Sequence, residues 1–260
     1  MNQTLQEFFS ENKSDNQWKS VYSLGGIASI VALTGILIDI VIGNITGGNL
    51  EALPQTAIER FAQFHDHKFL GLYNLDLLNI INQMIMIPVY IALFAAHRSI
   101  NKTYNLLALI VFLFGSVIMV SANVSLPMLD LSNNYFSTNI ESQKALYAAA
   151  GEALLVRGAH GTGGAFWGFF LPNFAGLIMS IVMLNGGIFS KMNGWFGIIG
   201  SILMMGYVIM VTFVPGVEKM ATAFAMPGGL LLMTWMILFT IRFFQLNRKL
   251  KIDNQKVKTA

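Results

Sequence analysis

Apolar residues in this chain come in long unbroken runs rather than in the alternating pattern of strands. Six stretches, at 21–43, 69–96, 104–124, 165–184, 195–214 and 229–244, are mostly apolar. Each is near the roughly 20 residues that a helix needs to cross about 30 Å of hydrocarbon, the sixth being short unless it extends to Leu246. A β-barrel would show segments of about ten residues alternating in polarity, and these do not. The pattern predicts an all-α polytopic transmembrane bundle of six spans. Its parts are a polar N-terminal segment at 1–20, a membrane domain at 21–246 and a basic tail at 247–260.

Two connections are long enough to hold structure. At 54–69, Pro54 suits a first helical position, and Ile58, Phe61, Ala62, His65 and Phe69 share one helical face, opposite Arg60, Gln63 and His67. At 138–157, Thr138 and Glu141 have capping-box spacing, and Leu146, Ala149, Ala150 and Ala153 form a weakly apolar stripe. Both read as amphipathic helices over the outer end of the bundle, either resting in the headgroup layer or serving as a lid.

Composition supports the membrane reading. Hydrophobic residues make up 55% of the 260 positions and charged residues only 11%, well short of the roughly 25% of soluble domains. With no Cys, disulfides, thiolate metal sites, cysteine nucleophiles and palmitoylation are excluded. The net charge of +3 is small and comes mostly from the segment after Phe244, so no nucleic-acid footprint is indicated; the partner implied is the lipid bilayer. The 1–20 segment mixes Glu7, Glu11 and Asp15 with Lys13 and Lys19, unlike a signal-peptide n-region. Distributing the basic residues over alternate connections places eleven on the side of the termini and five on the other. Positive residues are retained in the cytoplasm, so the expected location is a cell membrane with both termini cytoplasmic.

Candidate chemistry concentrates in the second span. At 100° per residue Asp76, Asn79, Gln83 and Tyr90 fall within about 60° of one another, with Asn82 to one side, and lipid cannot solvate such a stripe. An ionisable group inside a membrane is a candidate for an ion or solute pathway, whereas amides also serve as interhelical hydrogen-bonding glue. In the first span Ala28, Ala32 and Gly35 line a face for close helix packing and deliver Asp39 near the outer surface. Pro172 interrupts the fourth span beside Asn173, and Pro88 the second, each freeing a carbonyl.

At the outer face the candidates are His65, Glu152, Arg157 and His160. His65 and His67 are two apart, so on a helix they point to opposite sides, unlike the i, i+4 pair of a zinc site. His65 could meet His160, Glu152 or Asp76 only through the fold. The run Gly161-Thr162-Gly163-Gly164 lacks the Lys-Ser/Thr of a phosphate loop and reads as a flexible entry to the fourth span. No nucleophile elbow, zinc-protease motif or dinucleotide fingerprint is present, so no metal, catalytic set or cofactor is assigned.

The strings Asp76-Leu77-Leu78-Asn79-Ile80-Ile81 leading to Ile87-Pro88-Val89-Tyr90, Leu131-Ser132-Asn133-Asn134-Tyr135, and Ala149-Ala150-Gly151-Glu152-Ala153-Leu154-Leu155 resemble a group of bacterial multi-pass membrane proteins catalogued as domain of unknown function 4386. The resemblance implies a prokaryotic cell-membrane protein and carries no catalytic residue across. Three functions stay open. The best-supported is binding or transport of a small solute or ion through a polar interior; the others are a structural, sensory or partner-binding role, and a membrane-embedded enzyme acting at the outer face.

Overall fold

A computed structural model describes residues 2–45 and 53–259, with side chains described from residue 18 to residue 248 except at 46–52, 218 and 219. Ten helices make up this part of the chain. They are α1 (Asn2–Ile45), α2 (Ala57–Asp66), α3 (Lys68–Tyr73), α4 (Leu77–His97), α5 (Lys102–Ala122), α6 (Ser125–Ser137), α7 (Glu141–Gly158), α8 (Gly163–Gly186), α9 (Lys191–Phe213) and α10 (Glu218–Thr259). Six of them, α1, α4, α5, α8, α9 and α10, are long and apolar enough to cross a membrane.

These six form a closed ring in chain order. Chain neighbours pack antiparallel, as the residues that meet show: Gly25 faces Ala92 and Gly35 faces Asn82 between α1 and α4; Gly115 faces Pro172 and Gly168 faces Met119 between α5 and α8; Gly200 faces Leu232 and Gly228 faces Leu203 between α9 and α10. Tyr22 stacks on Phe243 where α10 returns to α1 and closes the ring. The small-residue face expected in the first span is the one that packs. Ala28 and Ala32 are buried, and a Cβ on Gly35 would collide with the Asn82 amide. Without side-chain bulk there, the two backbones approach closely enough for dispersion and interhelical hydrogen bonds to hold them in lipid, where the hydrophobic effect supplies little.

The ring interior is filled, not hollow. Val89, Tyr90, Leu93, Phe112, Met179, Met183, Trp235, Phe239 and Phe243 share one buried cluster, with Tyr90 and Phe112 stacked at 3.7 Å. The perimeter is apolar and open, with Phe114 62% and Val117 66% exposed, as lipid-facing positions require.

At one end α2, α3, α6 and α7 build a cap with its own core of Ala57, Phe61, Phe64, Leu75, Val124, Met128 and Leu155. Four details differ from the sequence reading. Helix α2 starts at Ala57, because Thr56 and Glu59 form a true capping box. It buries Ala57, Arg60, Phe61 and Phe64, while Ile58, Ala62, His65 and Phe69 are exposed, so the buried face is rotated and Arg60 lies inside. Thr138 does not cap α7: its hydroxyl bonds Gln143, and the N-cap position is Ile140. Helix α6 is an element the sequence reading did not assign; its Pro127 is tolerated in the first turn, where backbone N–H groups lack partners anyway.

The second span is also interrupted. The helix expected from residue 69 onward ends at Tyr73, and a new one starts at Leu77. Asp76, at the joint, has φ +63°, the only non-glycine residue with positive φ among the described residues. A left-handed residue costs about 1–2 kcal/mol, least for Asp and Asn, so the surroundings must hold it there.

Candidate functional site

Asp76 therefore caps α4 at the level where cap and bundle meet, instead of lying within a continuous helix. Its carboxylate is engaged at both oxygens. Asn79 donates from Nδ2 to Oδ1 at 2.8 Å, and His160 Nδ1 lies 3.3 Å from Oδ2. Both partners are largely withdrawn from solvent, the side chains of His160 and Asp76 being 20% and 14% exposed.

His160 arrives from the connection between α7 and α8, a tight turn that the glycine-rich run permits. Thr162 returns its N–H and its hydroxyl to the Ala159 carbonyl, and Gly161 has φ +79° against Val211 of α9, where a side chain would be strained and crowded. A Cβ on Gly164 would strike the Arg157 carbonyl. The ring is steered further by Phe169, edge-on at 4.9 Å, and by Tyr207 of α9, whose hydroxyl is 2.9 Å from Nε2.

This geometry fixes the tautomer. An ionised carboxylate can only accept, so Nδ1 carries the hydrogen shared with Asp76. Nε2 then accepts from the Tyr207 hydroxyl when the ring is neutral and donates to it when the ring is protonated. The result is a chain Asn79–Asp76–His160–Tyr207 linking α4, the α7–α8 turn and α9.

Further charged groups surround it. Tyr73 of α3 donates to the backbone carbonyl of Asp39 at 3.0 Å, which brings Asp39 and α1 to the same level. Burial, with the neighbouring Asp39 charge, pushes the Tyr73 phenol up. Arg60 is 5% exposed; its guanidinium reaches the Asn74 carbonyl at 3.5 Å, while its Nε has no partner. Burial pushes this group down to about 10, opposed by the Asp76 and Glu59 charges, so it is cationic at neutral pH. A cationic Arg60 helps to compensate Asp76.

Two cavities of ≈ 10 Å³ flank the pair. One is lined by His160, Thr162, Phe169, Val208 and Thr212, the other by Asp76, Ile80, Asn123, Gly158 and Phe169. That size admits about one water each.

The remaining sequence candidates separate from this centre. Gln83 donates to Ser116, and Asn173 donates to Phe169 in its own helix. Asn82 lies against Gly35 on the α1 side, away from Gln83. Glu152 accepts the Ala57 N–H at 2.7 Å and tethers α7 to the start of α2; Arg157 donates to the Ser121 carbonyl; His65 stacks on Phe136. Of the outer-face group only His160 meets Asp76. Tyr207, Tyr73 and Arg60 were not singled out from the sequence, and a tyrosine near the end of a span has no signature separating it from an interfacial aromatic.

A closed ring of six membrane-length helices with an apolar perimeter and a filled, mostly apolar interior defines a multi-pass α-helical membrane protein. The chain belongs to the family described as Domain of unknown function (DUF4386), whose match covers residues 22–240. No curated protein and no solved structure matches the chain.

Proposed function

We propose that this protein binds a small ion or polar solute at the junction of cap and bundle, with Asp76 and His160 as the binding groups. The observation that carries the reading is the part-buried Asp76–His160 pair, anchored on a left-handed residue and flanked by water-sized cavities. A charged pair largely withdrawn from solvent is a candidate functional site, and a strained backbone held by its surroundings is a common mark of one. The capped end faces outward in this reading, with both termini in the cytoplasm of a cell membrane and lipid as the surrounding partner, because eleven of the sixteen Lys and Arg residues fall on the side of the termini.

Binding at one end is better supported than passage through the bundle. Below the site, Gln83 and Asn173 have local partners, and the interior is filled by aromatic and Met side chains. The Gln83–Ser116 bond fits the role of interhelical glue and Asn173 is satisfied within its own helix, so a purely structural or partner-binding protein is the competing reading. An enzyme at this face would have only the His160–Asp76 pair to work with, since His65 and Glu152 are engaged elsewhere.

The test is thermal unfolding of the full chain in lipid nanodiscs against a panel of inorganic ions and small polar solutes, for the native protein and Asp76→Asn. Ligand at a hundred times its dissociation constant stabilises the folded state by about 2.7 kcal/mol. At least one compound, or the proton itself through a pH-dependent midpoint, should stabilise the native protein and lose that effect in Asp76→Asn; equal responses in both proteins, or none in either, contradict the reading.

A further inference from the structure

Resting on that binding reading, we infer that the ligand of the Asp76–His160 site is the proton, taken up at His160 Nε2 and registered by reorientation of the Tyr207 hydroxyl. Three observations converge on it. The flanking cavities each admit about one water, which is enough to deliver a proton. The ring nitrogen facing Asp76 is committed by the carboxylate, which leaves Nε2 as the atom whose proton content can change. Tyr207 is the one partner type that suits both states, because a hydroxyl donates to a bare nitrogen and accepts from a protonated one without leaving its place.

The step balances simply. A solvent proton, relayed as hydronium through the cavity, binds the Nε2 lone pair and leaves neutral water behind, the imidazole becomes imidazolium beside the Asp76 carboxylate, and the Tyr207 O–H turns from donor to acceptor. No covalent bond other than N–H and O–H is involved, and nothing is oxidised.

The groups facing His160 favour this chemistry and couple it to the fold. Asp76 and Asn79 approach from α4, Tyr207 from α9 and the apolar ring of Phe169 from α8. Around Asp76, Asp39 contributes from α1, Tyr73 from α3 and the buried Arg60 from α2, while Arg157 of α7 is turned toward the Ser121 carbonyl of α5. A proton here changes the sign balance at the one point where the α3–α4 joint, the α7–α8 turn and α9 meet. The cap is thereby clamped more firmly when His160 is charged.

The experiment is solid-state 15N spectroscopy of the full chain in lipid bilayers with histidine ring nitrogens labelled, across pH 5 to 12. His160 is assigned by its loss in His160→Gln. In the native protein, Nδ1 of His160 should stay protonated throughout, while Nε2 passes from N–H to bare nitrogen as pH rises. Asp76→Asn should move that transition to lower pH by about 1–3 units, the size of an opposite charge at short range. Tyr207→Phe should change the Nε2 resonance and leave Nδ1 in place, which a merely packed histidine would not show. A His160 spectrum invariant with pH, or unchanged by Asp76→Asn in a folded protein, overturns the proton as ligand. Loss of this inference alone would leave the thermal panel positive for another ion; a negative panel together with a titrating His160 would narrow the wider reading to the proton.

Discussion

The Asp76–His160 pair makes a definite prediction for a double-mutant cycle. Asp76→Asn retains a residue that tolerates positive φ, so the α3–α4 joint survives and only the charge is removed. The amide oxygen can still accept from Nδ1, and His160 can become neutral, so the expected loss is about 1 kcal/mol. His160→Gln is the costlier change. It leaves a carboxylate 14% exposed with Asn79 as its near donor, and stranding a buried charge costs about 3 kcal/mol. Removing both should cost about 2 kcal/mol rather than the roughly 4 kcal/mol that additivity requires, because neither charge is then stranded. Reversible unfolding in mixed dodecylmaltoside and dodecyl sulfate micelles, followed by tryptophan fluorescence, measures all four corners. A double variant within about 0.5 kcal/mol of the sum of the singles would refute the pairing.

Other consequences follow from the packing. Gly158→Ala should destabilise by about 1–3 kcal/mol, since the new Cβ would collide with the Ala122 carbonyl; Gly163→Ala, with open space around it, should stay within about 0.5 kcal/mol in the same unfolding assay. Glu152→Ala should cost about 0.5–1.5 kcal/mol and speed amide exchange in α2 while leaving the His160 15N signals unchanged. Cysteines introduced at the exposed Ser99 and Ser142 of intact cells should react with an impermeant thiol reagent from opposite sides of the membrane, Ser142→Cys from outside. Labelling of both from one side would contradict the six-span arrangement.

The spans were legible because lipid imposes a rule that acts on local sequence: every crossing helix needs its own apolar run. The α1 face of Ala28, Ala32 and Gly35 was legible for the same reason, since small residues in periodic register have one use in a membrane. The cap was harder. Its helices bury a face against each other rather than against lipid, so the apolar positions Ile58 and Phe69 misled while Arg60, compensated by Asp76 and the Asn74 carbonyl, went inside. The break at Asp76 left no trace in hydropathy; it needs an αL residue and Asn123 bonding the Leu75 carbonyl from 48 positions away. His160 and Tyr207 illustrate the same limit, because their meeting depends on the turn at Gly161 and not on any periodicity.

The most direct test of the central claim is an experimental structure of the full chain in lipid, resolved finely enough to show ordered water and ions. The account predicts density in the cavities on both sides of the pair, within hydrogen-bond distance of Asp76 and His160, with the Nδ1–carboxylate contact intact. Cavities closed by apolar side chains, or a His160 ring turned away from Asp76, would contradict it and mark the pair as a brace between cap and bundle.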